Sequence, residues 1–169
     1  MTPFHFEHDF RAPSVAAVFT AYFDEALNVE HDVRAGISRR ELLEETDTPE
    51  RLETLARVFP ERQLPVFIRP FVSGPLHFVE RLVWDKASDR IVSDIRPSLL
   101  AKRARIHLVY AAQQAGPGVV RRIYEGEVTV EIAVIGHRIE KMIVDDIAKT
   151  LVDVETCTQE WLDAHTGRV

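Results

Sequence analysis

The sequence predicts an α+β domain in which a curved, seven-stranded antiparallel sheet wraps around one long C-terminal helix. Across residues 137–164, between Gly136 and Gly167, apolar residues recur at three- and four-residue steps. This spacing is typical of an amphipathic helix, here about 42 Å long. In the preceding chain, apolar and polar residues alternate in segments separated by turn-forming residues, which is typical of strands that bury one face. A one-sided sheet and a one-sided helix together form a two-layer domain.

Composition places the chain among ordinary globular proteins. Its 169 residues fit one domain, residues 1–169, and 46% hydrophobic with 28% charged residues can supply a sizeable core. The formal net charge of −6 disfavours a nucleic-acid partner, because phosphate binding needs a basic face. No stretch approaches the roughly 18 consecutive apolar residues of a membrane span, and residues 1–6 lack the pattern of a secretion signal. We therefore expect a cytoplasmic protein without stable membrane insertion.

The first part of the chain predicts a strand followed by a helix. In residues 3–11, three phenylalanines and His8 alternate with polar residues, so this segment is expected to be a strand. Ser14 is well placed to cap the helix that follows. Apolar spacing predicts three helical turns over residues 15–27, whereas residues 28–36 lack clear periodicity, which favours a loop or a short irregular helix.

Residues 37–60 are expected to form two strands joined by a turn at residues 46–49. The first of them, around residues 41–44, is equally acceptable as helix by propensity, so its assignment depends on its neighbours. Residues 60–75 contain four of the nine prolines and cannot be a central strand. Residues 64–72 are nevertheless apolar, which favours a plug on the core and leaves a lid over a pocket as the alternative.

The second half of the chain predicts four more strands. Residues 76–84 and 90–96 read as a hairpin, and residues 103–112 continue the alternation. After a strong turn signal, the longest strand is expected over residues 124–134, with Gly126 as the place where it bends.

With this order of elements, the chain resembles the START-like (SRPBCC) superfamily, which includes polyketide cyclases and lipid-transfer domains and has the helix-grip fold. The strand-to-helix opening over residues 10–19 is similar to that of the superfamily. Further short motifs resemble, more narrowly, a bacterial subfamily of it: Leu64-Pro65, Trp84, Gly126-Glu127-Val128, Gly136-His137-Arg138-Ile139-Glu140 and Glu160-Trp161-Leu162. The resemblance covers nearly the whole chain and carries over no catalytic motif.

Histidine and cysteine give little sign of metal or nucleophile chemistry. The seven histidines are scattered and none is spaced as a helical metal ligand pair, so neither a metal nor a cofactor is expected. His8 lies on the apolar face of its strand, where a hydrogen-bonded core histidine is favoured over a ligand contact. Cys157 lies on the inner side of the final helix, which favours a small buried hydrophobe over a reactive thiol.

Among the residues of the sequence, Glu80 gives the strongest indication of a functional group inside the domain. It shares a strand face with large apolar residues, and a buried carboxylate needs a partner or a raised pKa. The favoured interpretation is that Glu80 forms a salt bridge, to Arg57 or Arg122, or that the other face of its strand is the buried one. The alternative is a cavity position beside Tyr110 and Tyr124, where Glu80 orients a polar ligand group or acts as a general acid or base.

A bent sheet around one helix encloses a hollow, and we expect that hollow to bind a small hydrophobic or lipid-like ligand. Two alternatives stay open: an enzyme of the polyketide cyclase or dehydratase type, and an interaction module whose own side chains fill the core. The oligomeric state is not predicted. Strand alternation and the inner stripe of the helix assign the cavity ten lining residues: Phe6, His8, Phe78, Glu80, Tyr110, Tyr124, Val128, Ile143, Ile147 and Thr150.

Overall fold

The computed structural model describes residues 1–61, 68–69, 74–98 and 103–167, which hold seven strands and three helices. None of these helices is both long and apolar enough to span a bilayer. In chain order the elements are β1 Thr2–Arg11, α1 Val15–Tyr22, α2 Glu25–Arg34, β2 Ile37–Asp47, β3 Arg51–Pro60, β4 Phe78–Asp85, β5 Arg90–Pro97, β6 Ala104–Gly116, β7 Val119–Val130 and α3 Gly136–His165.

The seven strands form one sheet in the order β1-β7-β6-β5-β4-β3-β2, and every neighbouring pair is antiparallel. Strands β2 to β7 therefore follow one another as a meander, and β1 closes the far edge against β7. The register places Phe6, Tyr124, Tyr110 and Ile91 directly opposite one another on successive strands, on the face that turns toward α3. The α+β class and the curved seven-stranded sheet with a long C-terminal helix, both predicted from the sequence, are confirmed.

The prediction of one continuous helix over residues 15–27 is wrong, because two helices meet at Asp24. Of the two alternatives for residues 28–36, a loop or a short irregular helix, the helix is the one observed. The Asp24 carboxylate accepts a hydrogen bond from the Leu27 N–H at 2.8 Å and so caps a new helix. That second helix, α2, runs through Glu25–Arg34, across most of the segment expected to be irregular. An aspartate followed directly by a glutamate is a helix start signal, and it was present in the sequence.

Strand β7 ends at Val130, not at residue 134 as predicted. Residues 131–135 form a tight connection in which the Gly136 N–H donates to the Ile132 carbonyl at 2.9 Å. A Cβ atom on Gly136 would lie 2.5 Å from the Val130 carbonyl oxygen, so the close approach of helix and strand requires glycine there. Gly126 is constrained in the same way, since its Cβ would lie 2.1 Å from the His107 carbonyl oxygen.

The plug or lid predicted at residues 64–72 lies outside the described residues, apart from residues 68 and 69. Ile68 is only 1% exposed and packs in a core cluster with Phe4, Ile106 and Ile139. The Ile68 side chain is therefore part of the hydrophobic core.

Helix α3 packs against the sheet at both of its ends. Near its start, Ile139 lies in the cluster just described. Near its end, Leu162 and Cys157 are fully buried with Phe10 of β1, as expected for Cys157. The apolar spacing of this helix also predicts burial of Trp161 beside Leu162; Trp161 is only half-buried, although it packs against the same cluster. The helix therefore rests on two packed contacts, and Ile139 and Cys157 are separated by about five helical turns.

Glu140 fixes the first of these contacts. Its carboxylate, 2% exposed, accepts hydrogen bonds from the Val130 N–H at 2.9 Å and from the Thr2 hydroxyl at 2.8 Å. The amino group of Met1 lies 2.8 Å away and His137 lies 3.3 Å away. Burial by itself raises the pKa of a carboxyl group, but these partners hold the pKa of Glu140 at about 2, below its ordinary 4.5. A single buried charge thus joins α3, β7 and β1.

Replacing Glu140 with glutamine should lower the free energy of unfolding by about 2–4 kcal/mol, since the amide loses the charge that its partners stabilise. The matched control Glu131→Gln changes an exposed carboxylate and should shift it by less than about 0.5 kcal/mol. Urea unfolding at neutral pH measures both. Because the pKa of Glu140 is lowered on folding, its contribution is complete above pH 4.5 and disappears as the pH falls toward 2. A wild-type advantage over Glu140→Gln that did not shrink across this range would contradict the assignment.

Replacing Leu162 with alanine should lower the free energy of unfolding by about 2–5 kcal/mol, because the lost side chain is completely buried. Val152→Ala is the control on the same helix, since Val152 is 61% exposed and its truncation leaves no cavity. Equal effects of the two substitutions would show that the end of α3 does not pack as described.

Candidate functional site

The stretch between the two ends of α3 covers a cavity of about 760 Å³. Its floor is the concave face of β2 to β7, and its walls are α2 and the middle of α3. Four of its lining residues are exposed at the surface, namely Asn28, Arg40, Glu45 and Asp47, so the cavity opens between α2 and the β2 edge of the sheet. The interior lining includes Val18, Tyr22, Phe23, His31, Leu52, Phe78, Glu80, Leu82, Trp84, Ser93, Ile95, Leu108, Tyr110, Arg122, Tyr124, Ile147, Thr150, Leu151, Val154 and Thr158.

Aromatic rings form one side of the cavity. The Trp84 ring stacks on Phe23 with centroids 4.5 Å apart. The rings of Tyr22 and Tyr110 lie 4.7 Å apart, and those of Tyr110 and Tyr124 lie 5.0 Å apart. These contacts arise because the strand residues share the concave face by alternation, while Tyr22 and Phe23 stand at the end of α1, above that face.

A buried charged network lies at the β1–β7 end of the cavity. Arg122 is only 3% exposed and donates from Nη2 to Glu155 of α3 at 2.8 Å. His8 Nδ1 lies 3.1 Å from the other oxygen of the same carboxylate. The guanidinium lies between the rings of Phe10 and Tyr124, 4.9 and 4.8 Å from their centroids. Two ring faces and one carboxylate thus fix its orientation.

A second ion pair stands at the open end and involves Glu80. Arg40 donates to both carboxylate oxygens of Asp32, at 3.0 and 2.8 Å, and to Glu80 at 3.2 Å. The predicted partners of Glu80 are therefore wrong. Arg57 points to the opposite face of the sheet, where it pairs with Glu41, and Arg122 is held by Glu155. Glu80 does form a salt bridge, as the favoured interpretation expects, but with Arg40, and it also lies in the lining of the cavity that contains the three tyrosines.

All three tyrosines of the sequence line the cavity, namely Tyr22, Tyr110 and Tyr124. Burial raises the pKa of each of them, so their phenols stay protonated and are hydrogen-bond donors at neutral pH. None of the three hydroxyls has a hydrogen-bond partner among the described residues. The indole N–H of Trp84 is also buried without a partner in this part of the chain. The cavity wall therefore carries several unused donors.

Six of the ten residues assigned to the cavity from the sequence do line it: Phe78, Glu80, Tyr110, Tyr124, Ile147 and Thr150. The other four lie elsewhere. Phe6, Val128 and Ile143 pack in the core cluster around Ile139, where α3 touches the sheet and closes the hollow. His8 is held by Glu155 at the edge of the buried network.

Sequence reasoning missed several residues that line the cavity. Arg122 and Trp84 share the predicted strand faces of Tyr124 and Glu80, so alternation alone could have included them. Asp32 and His31 could not be found, because α2 was expected to be irregular. Arg40 could not be assigned to the cavity, because the sequence of its strand is equally compatible with a helix.

No group of three or more histidine, cysteine, aspartate or glutamate side chains in the described ranges is arranged to hold a metal ion. The cavity offers hydrogen bonding from phenols, an indole and a guanidinium, together with the carboxylates of Asp32 and Glu80, which are both paired with Arg40.

Residues 5–162 match the model of one protein family. The chain belongs to the DUF2505 family, which is described as a protein of unknown function. Among curated proteins, none matches it significantly. The cavity and the sheet described above are therefore those of a DUF2505 member.

Solved structures resemble this DUF2505 chain over nearly its whole length. The Zhui aromatase/cyclase from Streptomyces sp. R1128 has a TM-score of 0.64 at 11% identity, covering 99% of both chains. A START superfamily protein from Mycobacterium smegmatis has a TM-score of 0.59 at 12% identity, covering 97% of this chain and 99% of the other. Norcoclaurine synthase from Thalictrum flavum, in complex with dopamine and hydroxybenzaldehyde, has a TM-score of 0.65 at 12% identity, covering 99% and 89%. The START-like fold that the sequence resembled is confirmed.

Replacing Arg122 with methionine should lower the free energy of unfolding by about 1–3 kcal/mol, because Glu155, which is 21% exposed, then keeps only His8 as a partner. The double variant Arg122→Met/Glu155→Met removes both charges and should recover most of that loss. Arg121→Met is the control, since Arg121 is the next residue and pairs with Asp9 on the solvent face. Thermal or urea unfolding measures the cycle. If the effects of Arg122→Met and Glu155→Met simply add in the double variant, the two side chains are not coupled.

Proposed function

We propose that this protein binds a small, largely hydrophobic molecule with a polar end in the cavity between the sheet and α3. The observation that carries the proposal is the cavity itself: about 760 Å³, mostly aromatic and aliphatic, with a few inward polar groups. Ligand pockets are typically about 300–1,000 Å³ and have this composition. The START-like fold agrees with such a role.

The size of the hollow favours this proposal over an interaction module with a filled core. Protein interiors are close-packed, and voids larger than a few water molecules are rare because they forfeit dispersion contacts. Here α3 packs tightly at Ile139 and Leu162 but leaves the space beneath Ile147 and Leu151 open. A helix supported at both ends can keep such a space open without collapsing into it.

The wall also indicates the shape of the ligand. Trp84, Phe23, Tyr110 and Tyr124 present ring faces and edges, which favour flat apolar bodies through stacking and edge contacts. We infer a ligand that contains a planar ring system, which reaches the site between α2 and the edge strand β2.

Uptake of the neutral fluorescent probe N-phenyl-1-naphthylamine tests the proposal. Wild-type protein should enhance its fluorescence in a saturable manner, because the cavity shields the probe from water. Ile147→Trp fills the cavity from α3 and should weaken uptake at least tenfold. Val152→Trp introduces the same side chain on the exposed face of the same helix and should leave uptake unchanged.

Equal uptake by both tryptophan variants, or no uptake by folded wild-type protein, would refute binding at this cavity. Circular dichroism and thermal unfolding of each variant separate loss of the site from loss of the fold.

A second candidate is an enzyme that removes a proton next to a carbonyl group, with Glu80 as the base. One observation favours it: the carboxylate of Glu80 faces the same cavity as the phenols of Tyr22 and Tyr124. Phenols placed in this way can stabilise an enolate oxygen. The solved structures include an aromatase/cyclase, although that name describes the relative and not this chain.

Hydrogen–deuterium exchange at the methyl group of 2-acetylnaphthalene, followed by NMR in D₂O, tests the second candidate. Wild-type protein should accelerate the exchange and Glu80→Gln should abolish the acceleration, because the amide cannot accept the proton. If the protein takes up the probe but does not accelerate the exchange, the binding function is supported and this enzymatic function is refuted.

A further inference from the structure

The interior of the cavity has hydrogen-bond donors that no acceptor of the described residues engages. Tyr22, Tyr110 and Tyr124 line the cavity, and their hydroxyls have no hydrogen-bond partner in this part of the chain. The Trp84 N–H is fully buried and has none either. Buried polar groups in folded proteins are nearly always hydrogen-bonded, because an unpaired donor loses its bonds to water without replacement. The buried Trp84 N–H and the three unpaired phenols of the cavity lining can therefore donate hydrogen bonds to a bound ligand.

Arg122 adds a charged donor to this wall. Of the five N–H groups that a guanidinium carries, the structure pairs one with Glu155, and Nε has no partner in the described ranges. The side chain is 3% exposed, lies over the ring of Tyr124 and belongs to the same cavity lining as Tyr110 and Tyr124. A buried cation with so few bonds is costly unless a further acceptor reaches it.

The chain's own interior carboxylates do not supply that acceptor. Glu155 is already engaged by Arg122 and His8, and Asp32 and Glu80 are engaged by Arg40. The remaining lining acids, Glu45 and Asp47, are exposed at the opening. The carboxylates of the interior are thus already paired with cations, and none of them accepts a hydrogen bond from a tyrosine hydroxyl among the described residues.

We propose that the ligand brings the missing acceptor: its polar end is a carbonyl oxygen, of a ketone or a carboxylate, held by Arg122, Tyr110 and Tyr124. This inference rests on the proposed binding function and specifies its ligand class. The flat aromatic wall takes the body of the molecule, and its oxygen points toward the β1–β7 end. A ligand whose polar end is only a donor, such as an ammonium group, meets like groups there and is rejected.

Four naphthalene probes with one shared body test this class: naphthalene itself, 2-acetylnaphthalene, 2-naphthoate and 2-naphthylmethylamine. Displacement of N-phenyl-1-naphthylamine gives their affinities, and calorimetry checks them. The ketone or the carboxylate should bind about tenfold or more tightly than naphthalene, since hydrogen bonds to buried donors contribute at this level. The amine should bind no better than naphthalene. The ratio of ketone to carboxylate then decides between a neutral and an anionic polar end.

Tyr124→Phe and Tyr110→Phe each remove one hydroxyl and keep the ring, so they should weaken the carbonyl probes about three- to tenfold more than they weaken naphthalene. The control Phe78→Leu alters the cavity wall without touching a donor and should affect all four probes alike. Arg122→Met/Glu155→Met removes the charged donor while keeping the interior neutral, and should abolish the preference for a carbonyl.

The proposal is overturned if naphthalene binds as tightly as both carbonyl probes, if the amine binds tightest, or if the preference survives the Arg122→Met/Glu155→Met variant. In each of those cases the uptake of N-phenyl-1-naphthylamine still supports a ligand cavity, so the two proposals fail separately. If folded protein takes up none of the probes, both are wrong.

Discussion

The fold depends on one constraint: α3 must be held against a concave sheet at both ends while its middle stays clear of it. Burial of Ile139 and Leu162 supplies the two apolar contacts. Glu140 fixes the position of the helix at the first contact, because its carboxylate accepts hydrogen bonds from the Val130 N–H at the end of β7 and from the Thr2 hydroxyl in β1. Apolar burial alone tolerates sliding of a helix, whereas a buried charge with several partners allows one position.

The same constraint explains two glycines. Gly136 lets the first turn of α3 approach the Val130 carbonyl, and Gly126 lets β7 approach β6 and the Phe4 ring. With a side chain at either position, the helix or the strand would have to move outward. The positions of α3 and β7 thus depend on close approaches that only glycine permits.

Charge is distributed differently on the two faces of the sheet. On the convex face, exposed cross-strand pairs such as Arg121 with Asp9 and Arg81 with Glu53 lie in water, where each contributes little to stability. On the concave face the charges are few and specifically paired: Arg122 with Glu155, and Arg40 with Asp32 and Glu80. Charge on the convex face keeps that side of the sheet in solvent, whereas the concave pairs place polar groups inside an otherwise apolar hollow.

The sequence by itself determined the strands, the final helix and the face on which each strand residue lies, because periods of two and 3.6 residues are local properties of the chain. Alternation was enough to place Phe78, Glu80, Tyr110 and Tyr124 on one concave wall. Tertiary structure decided which part of that wall stays open. Phe6 and Val128 share the same face, yet the start of α3 covers them, since the resting place of a helix depends on contacts distant in sequence. It also decided that Arg40, two strands away, holds Glu80, because a partner across a sheet follows from register and not from spacing along the chain.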